Sequence, residues 1–239
     1  MNHDTLQLRR TTLVWDWVVR LFHAVFALGW IAALVIALGT SHSSRTFPYH
    51  TLIGLTLGFA VILRLAWGVI GTRPARLREL LYSPKAVFGY IRDALLWKPT
   101  MHPGHNPASA WAIIAMLLLT AMQVCTGLAV GSGVREAKEI HEVIAYAMLA
   151  VIVAHVLGVI LHTARHREII ALSMADGKRA CEPVHGIRSA RPVAGILFLI
   201  LVFLFGASVY RSYDAPRQTT KVPLVGKIIQ VGESEVEDD

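Results

Sequence analysis

Charge is scarce in this chain of 239 residues: Asp, Glu, Lys and Arg make up 16% of it, against 54% hydrophobic residues. Ordinary soluble domains carry about 25% charge, so an aqueous globule is excluded. The apolar residues gather in five blocks, near residues 13–38, 52–70, 110–130, 143–161 and 193–209, each long enough to cross a bilayer. The first block is too long for a signal-peptide core and has no small-residue cleavage site behind it, so it reads as a retained helix. Cysteine is nearly absent. Cys125 in an apolar block and Cys181 in a connection form no disulfide framework, and no Cys-x-x-Cys-His occurs for covalent haem attachment. Deep acidic residues are missing too, apart from Asp16, so no carboxylate or thiolate cluster competes for another metal.

The net charge of +7 is distributed as a membrane protein's, not a nucleic-acid binder's. Arg9 and Arg10 precede the first span. The second connection holds Arg73, Arg76, Arg78, Lys85, Arg92 and Lys98, and the fourth holds Arg165, Arg167, Lys178, Arg179, Arg188 and Arg191. The first and third contribute only Arg45, Arg135 and Lys138. Fourteen basic residues against three place the N-terminus in the cytoplasm and the C-terminus outside.

Histidine is what this apolar chain does have. His141 and His155 enclose the run HEVIAYAMLAVIVAH, fourteen residues apart and close to four helical turns. They share one helix face at depths separated by roughly 21 Å, in a hydrocarbon core about 30 Å thick. Other helices offer partners at both depths. His23 lies on the cytoplasmic side of the first span, and Arg20, three residues before it, shares its face and is spaced to pair with Asp16. His50 opens the second span after Pro48, followed by Gly54 and Gly58 and, fourteen residues on, by Arg64. The glycines permit either close helix packing or room for a flat macrocycle. Arg64 reads either as snorkelling toward the cytoplasm or as the partner of a cofactor carboxylate.

His23 with His155 inside, and His50 with His141 outside, form two pairs of axial nitrogens for porphyrin irons, with Arg20 and Arg64 near the inner pair for the propionates. Bis-His ligation leaves no open coordination position, which suits electron transfer. His162, another seven residues along the same face, is the alternative inner ligand, but its interfacial depth favours His155. His42 reads as a solvated loop residue. His102 and His105 are a weak metal signal in a loop rich in Pro and Gly. The third span has Thr120, Gln123 and Cys125 as polar handles. The inner connection over residues 71–109 reads as interfacial amphipathic helix. Residues 167–192 read as a basic loop containing His185. KVPLVGKIIQVG suggests a hairpin arm before an acidic, solvated end, ESEVEDD.

V-x-R-x-F-H in the first span, the His50–Gly54 start of the second, LRLAWGVIGTR, S-P-x-A-V, GHNP and the H-E-x-x-A start of the fourth span together resemble the bacterial di-haem cytochrome b family. The cytochrome b subunits of membrane-bound NiFe hydrogenases belong to it. The resemblance covers about residues 13–180. It implies an all-α integral membrane protein with a four-helix di-haem bundle over residues 1–180; the fifth transmembrane helix and periplasmic tail, over residues 181–239, are read from hydropathy and loop charge instead. It further implies two non-covalent haem b groups in a bacterial inner membrane. Electrons would pass between the quinone pool and a periplasmic redox protein: a cytochrome c, a reductase or a hydrogenase. By the same analogy quinone binds near the inner haem, with His105 and Asn106 of the GHNP stretch walling its site. The fifth helix departs from the four-helix members and leaves the partner open, as it does a homo-oligomer.

Two other classes fit parts of the pattern. A His-based ion or proton transporter would also show intramembrane His and Arg, but would need a water-filled path and more buried acids. A membrane anchor with incidental histidines would need none of the matched depths. The loop charges also generate a topology test: a reporter fused after Asp239 is expected to be active in the periplasm, and activity confined to the cytoplasm would reverse the orientation or remove the fifth span.

Overall fold

The computed structural model describes residues 11–98, 102, 104–181, 184 and 186–232. Arg9, Arg10, His185 and the ESEVEDD run lie outside the described residues. Five helices are long and apolar enough to span a membrane: α1 (Trp17–Gly39), α2 (Pro48–Ile70), α4 (Pro107–Gly131), α5 (Ala137–His166) and α7 (Pro192–Arg211). Between them lie the amphipathic α3 (Pro84–Leu95) and the short α6 (Ser173–Asp176). Four short strands complete the set: β1 (Thr11–Leu13), β2 (Lys178–Ala180), β3 (Thr219–Lys221) and β4 (Ile228–Gln230). The protein is thus an all-α integral membrane protein. Large apolar side chains stand exposed along its spans, among them Leu28, Val35 and Leu38 of α1, Val69 and Ile70 of α2, and Phe203 of α7. In water such a surface would aggregate; in a bilayer it faces lipid.

The chain divides into two compact units, each assembled from parts of several helices. The first comprises residues 1–21, 64–116 and 150–195. Here α1 begins on a buried cap: Asp16 is fully buried, and its Oδ1 accepts the Val19 N–H at 3.0 Å, the N-cap geometry of a helix start. Its Oδ2 accepts from Trp67 Nε1 at 3.0 Å and from the Thr72 hydroxyl. The expected Asp16–Arg20 pair therefore does not form among the described residues. Arg20 instead donates to the carbonyls of Met174 and Ala175 and lies over the Trp17 ring, 4.1 Å from its centroid. The supposed polar loop after α5 is structured as well. β2 pairs antiparallel with β1, Thr12 opposite Arg179, and the Gly177 carbonyl accepts from Val14 N and Trp15 N at 2.8 and 3.0 Å. Gly177 has φ +80°, and a Cβ there would stand 2.8 Å from the Trp15 carbonyl oxygen, so only glycine fits. Val14, Trp15, Val19 and Ala75 form the apolar core of this unit.

The second unit comprises residues 22–63, 117–149 and 196–239. Its core joins Leu52 and Leu55 of α2 and Val209 of α7 to Val222, Ile229 and Val231 of the β3–β4 arm. The arm is the expected hairpin, with Thr220 opposite Ile229. It seats closely: a Cβ on Gly131 would lie 2.6 Å from the Gln230 carbonyl oxygen. The two glycines of α2 have separate surroundings. A Cβ on Gly58 would meet Val124 Cγ2 at 2.8 Å, whereas one on Gly54 meets nothing within 4 Å. Gly58 is thus a close-packing residue, and Gly54 borders open space. Gly58→Ala is expected to destabilise the protein by about 1–3 kcal/mol through overpacking. Gly54→Ala should leave packing intact and gain about 1 kcal/mol of helix propensity. Thermal unfolding of the two variants in one detergent checks the contrast.

Candidate functional site

His50 stands in the first turn of α2, placed there by Pro48 and a reverse turn that returns the His50 N–H to the Phe47 carbonyl at 2.9 Å. Its Nδ1 lies 2.9 Å from the Ala33 carbonyl oxygen of α1. A carbonyl only accepts, so Nδ1 carries the proton and Nε2 is left with its lone pair. His141 of α5 reaches the same state by another route. Its Nδ1 is 2.9 Å from Thr126 Oγ1 on α4, and that hydroxyl already donates to the Met122 carbonyl at 2.8 Å. Thr126 is therefore the acceptor, Nδ1 the donor, and Nε2 again the bare nitrogen.

The two rings face each other at 6.1 Å between centroids, with their planes 77° apart. A metal held between two imidazole nitrogens at about 2 Å each puts the ring centroids about 6 Å apart. Donation of the second ring N–H to a carbonyl or hydroxyl is the usual support of a metal-ligating histidine. The residues present therefore fit a metal between two axial imidazoles. Gly127 makes room for the His141 ring, since a Cβ there would stand 3.3 Å from its Cε1. Gly54, one turn beyond His50, leaves open space beside α2. His23 belongs to this same unit, exposed on α1. Thr126 was not among the polar handles read from the third span; a Thr one turn from Met122 gives no local sign of which histidine it will hold.

In the other unit the structure gathers Asp16, Arg64, His105 and His155. Arg64 is 3% exposed, feels the opposite charge of Asp16, and has one guanidinium nitrogen, Nη1, buried without a hydrogen-bond partner. His105 lies before α4, its ring 4.5 Å from that of Trp15, and its carbonyl accepts from Tyr82 Oη at 3.0 Å. Burial pulls the His105 pKa down to about 3, helped by the nearby charges of Arg64, His155 and Arg179. The ring is therefore neutral at physiological pH, offering one donor and one acceptor. Asn106 serves as the N-cap of α4, its Oδ1 accepting from Ser109 N at 2.8 Å. Beside His105 opens a cavity of about 210 Å³ lined by Val14, Arg73, Pro74, Glu79, Tyr82, His102 and Gly104. Arg20, held by backbone carbonyls, belongs to this unit too.

Comparison with known proteins gives one match: the family model described as prokaryotic cytochrome b561 fits residues 14–177. No curated protein and no solved structure matches the chain.

The His105 site carries a pH dependence. Its folded pKa lies below the ordinary value of 6.5, so the unfolded chain binds more protons between about pH 3 and 6.5. The stability this residue contributes is present above pH 6.5 and is lost as pH falls toward 3. The midpoint of thermal unfolding should drop across that window, and His105→Asn should flatten the drop; an unchanged slope in the variant would remove His105 as its source.

Proposed function

Since the chain belongs to the prokaryotic cytochrome b561 family and is a haem b-binding membrane protein of electron transfer, we propose that it carries electrons across the bilayer between quinone and a periplasmic redox protein, through two haem b groups. His50 and His141 would hold the outer haem, and His155, in the other unit, is the proposed ligand of the inner one. The observation that carries this reading is the His50–His141 pair, with both Nδ1 protons committed to fixed acceptors and centroids 6.1 Å apart. A haem held there would supply a one-electron ferric–ferrous couple, and with two histidines as its protein ligands it would serve electron transfer rather than oxygen binding. The chain's own part is orientation. Ala33 and Thr126 hold the outer rings in the tautomer that presents Nε2. Gly54 leaves the adjoining surface flat. At the inner site Arg64 is a buried cation with an uncommitted nitrogen, suited to a haem propionate. Arg20, three residues before His23, donates through Nε and Nη2 to the carbonyls of Met174 and Ala175 and adds positive charge to this unit.

Quinone is assigned to the cavity beside His105, which Tyr82 and His102 also line; Asn106 lines the small neighbouring cavity, and the Trp15 ring packs tilted against the His105 imidazole. The loop charges support a cytoplasmic N-terminus and a periplasmic C-terminus, and a family match that ends at residue 177 is in keeping with a di-haem core followed by a fifth-helix region. The periplasmic partner is a cytochrome c, a reductase or a hydrogenase, and the β3–β4 arm, next to α2, stands on that side of the membrane.

His50→Ala and His141→Ala should each lower haem content from two per chain toward one, and His155→Ala should remove the other haem. Haem assay with reduced-minus-oxidised spectra reads both. Two haems with an unchanged spectrum in any of these variants would overturn the corresponding pairing.

A further inference from the structure

His162, the alternative ligand of α5 that is assigned no haem, occupies a site of its own. It is 8% exposed, and neither ring nitrogen has a hydrogen-bond partner. Its Nε2 lies 3.9 Å from Glu168 Oε2, an oxygen that is itself buried and unbonded, while Glu168 Oε1 accepts from Arg179 Nε at 3.1 Å. Buried polar atoms are almost always satisfied, by water where protein does not reach. Water has a place here. His162 lines a small cavity of about 10 Å³ with Tyr90, His102, Gly104, Asn106, Ile170 and Arg179, room for about one water molecule. His102 is the third orphan: its Nδ1 is buried without a partner and its ring meets Tyr90 edge-on at 5.4 Å. His102 and Gly104 also line the larger cavity beside His105.

These groups belong to one compact unit, Glu168 beside His162 and His162 sharing the small cavity with His102. We propose that Glu168, His162, an internal water and His102 are a proton relay between the cytoplasmic surface and the larger cavity. The proposal rests on the reading of that cavity as the quinone site, and adds to it the path of the protons. Oxidising a quinol breaks two O–H bonds: two electrons leave for ferric haem and two protons must leave for water. Quinone reduction runs the same balance in reverse. His102 takes the proton at the cavity edge, the water passes it to His162, and Glu168, whose side chain is 23% exposed, exchanges it with solvent. The charges around the relay keep its members poised. His162 is faced by His166, at 4.5 Å between rings, by Arg165 and Arg179, and by the opposing Glu168. His102 is faced by Tyr90 and Arg179. Burial and Arg179 both push the His102 pKa down, so it passes a proton on rather than holding it.

The test uses the full-length, haem-loaded protein with duroquinol as reductant. In the wild type, stopped-flow haem reduction should speed up with pH and slow down in D₂O. His162→Gln should keep both haems and their spectra, yet react at least about tenfold slower, with the pH profile and the isotope effect flattened and with added imidazole restoring the rate. Infrared difference spectra on pH change provide a second readout that needs no turnover: a D₂O-sensitive imidazole band from His162, shifted by His102→Gln and by Glu168→Gln. A wild-type rate and pH profile in His162→Gln, or a His162 band unmoved by both substitutions, overturns the relay. Should His162→Gln fail to accumulate, Glu168→Gln carries the kinetic arm with the same expected outcome. If duroquinol does not reduce the wild-type haems at all, the quinone reading fails alone, and the infrared arm then decides the relay: a shifted band sustains it and an unmoved one overturns it.

Discussion

A carboxylate with no exposure at all must have every lone pair engaged, and Asp16 meets that demand by tying three stretches of chain together. It caps α1 through Val19, holds the C-terminal end of α2 through Trp67, and fixes the turn that follows through Thr72. The opposite charge of Arg64 reduces the cost of burying it. A single buried ion thus sets where α1 starts and where α2 ends. Trp15, the residue before it, is then fixed by Ser173 at 3.2 Å and becomes the wall on which His105 rests.

The other unit applies the same rule to histidine. A ligand is useful only if the correct nitrogen is bare, and a neutral imidazole has two tautomers of similar energy. A carbonyl acceptor decides the matter for His50; a hydroxyl already committed as a donor decides it for His141. Both are ordinary hydrogen bonds worth little to stability, yet they determine which metal chemistry the site supports. Across the protein, polar groups in the spans are few, so each has a single pronounced effect on its neighbours.

The contrast between the satisfied and the orphaned polar atoms is informative in its own right. Around Asp16 every oxygen is bonded. Around His162 and His102 three neighbouring residues carry buried atoms that are not, and a cavity of water size lies between two of them. Groups that must exchange protons cannot also be locked into permanent hydrogen bonds. That difference separates the structural polar core from the mobile-proton chemistry assigned beside it.

Much of this was legible in the chain itself. The five spans, the hairpin arm and the pairing of His50 with His141 follow from hydropathy, periodicity and helical rise, all of which are local properties of sequence. Sequence permits close packing or open space at both Gly54 and Gly58, and only the position of Val124 separates them. The partners of Asp16 and Arg20 were misread, because a spacing of four residues favours a pair only when neither side chain has a better buried partner. The β1–β2 ladder, the Ala33 and Thr126 acceptors and the clustering of His102, His162, Glu168 and Arg179 left no local mark. Each depends on residues far apart in sequence, β1 and β2 by more than 150 positions. Sequence alone determined that the chain crosses a membrane and places histidines at two levels along its spans. Which nitrogen each outer ring presents, and which charges stay buried, was decided by tertiary structure, because hydrogen-bond satisfaction is a property of the neighbours a fold supplies.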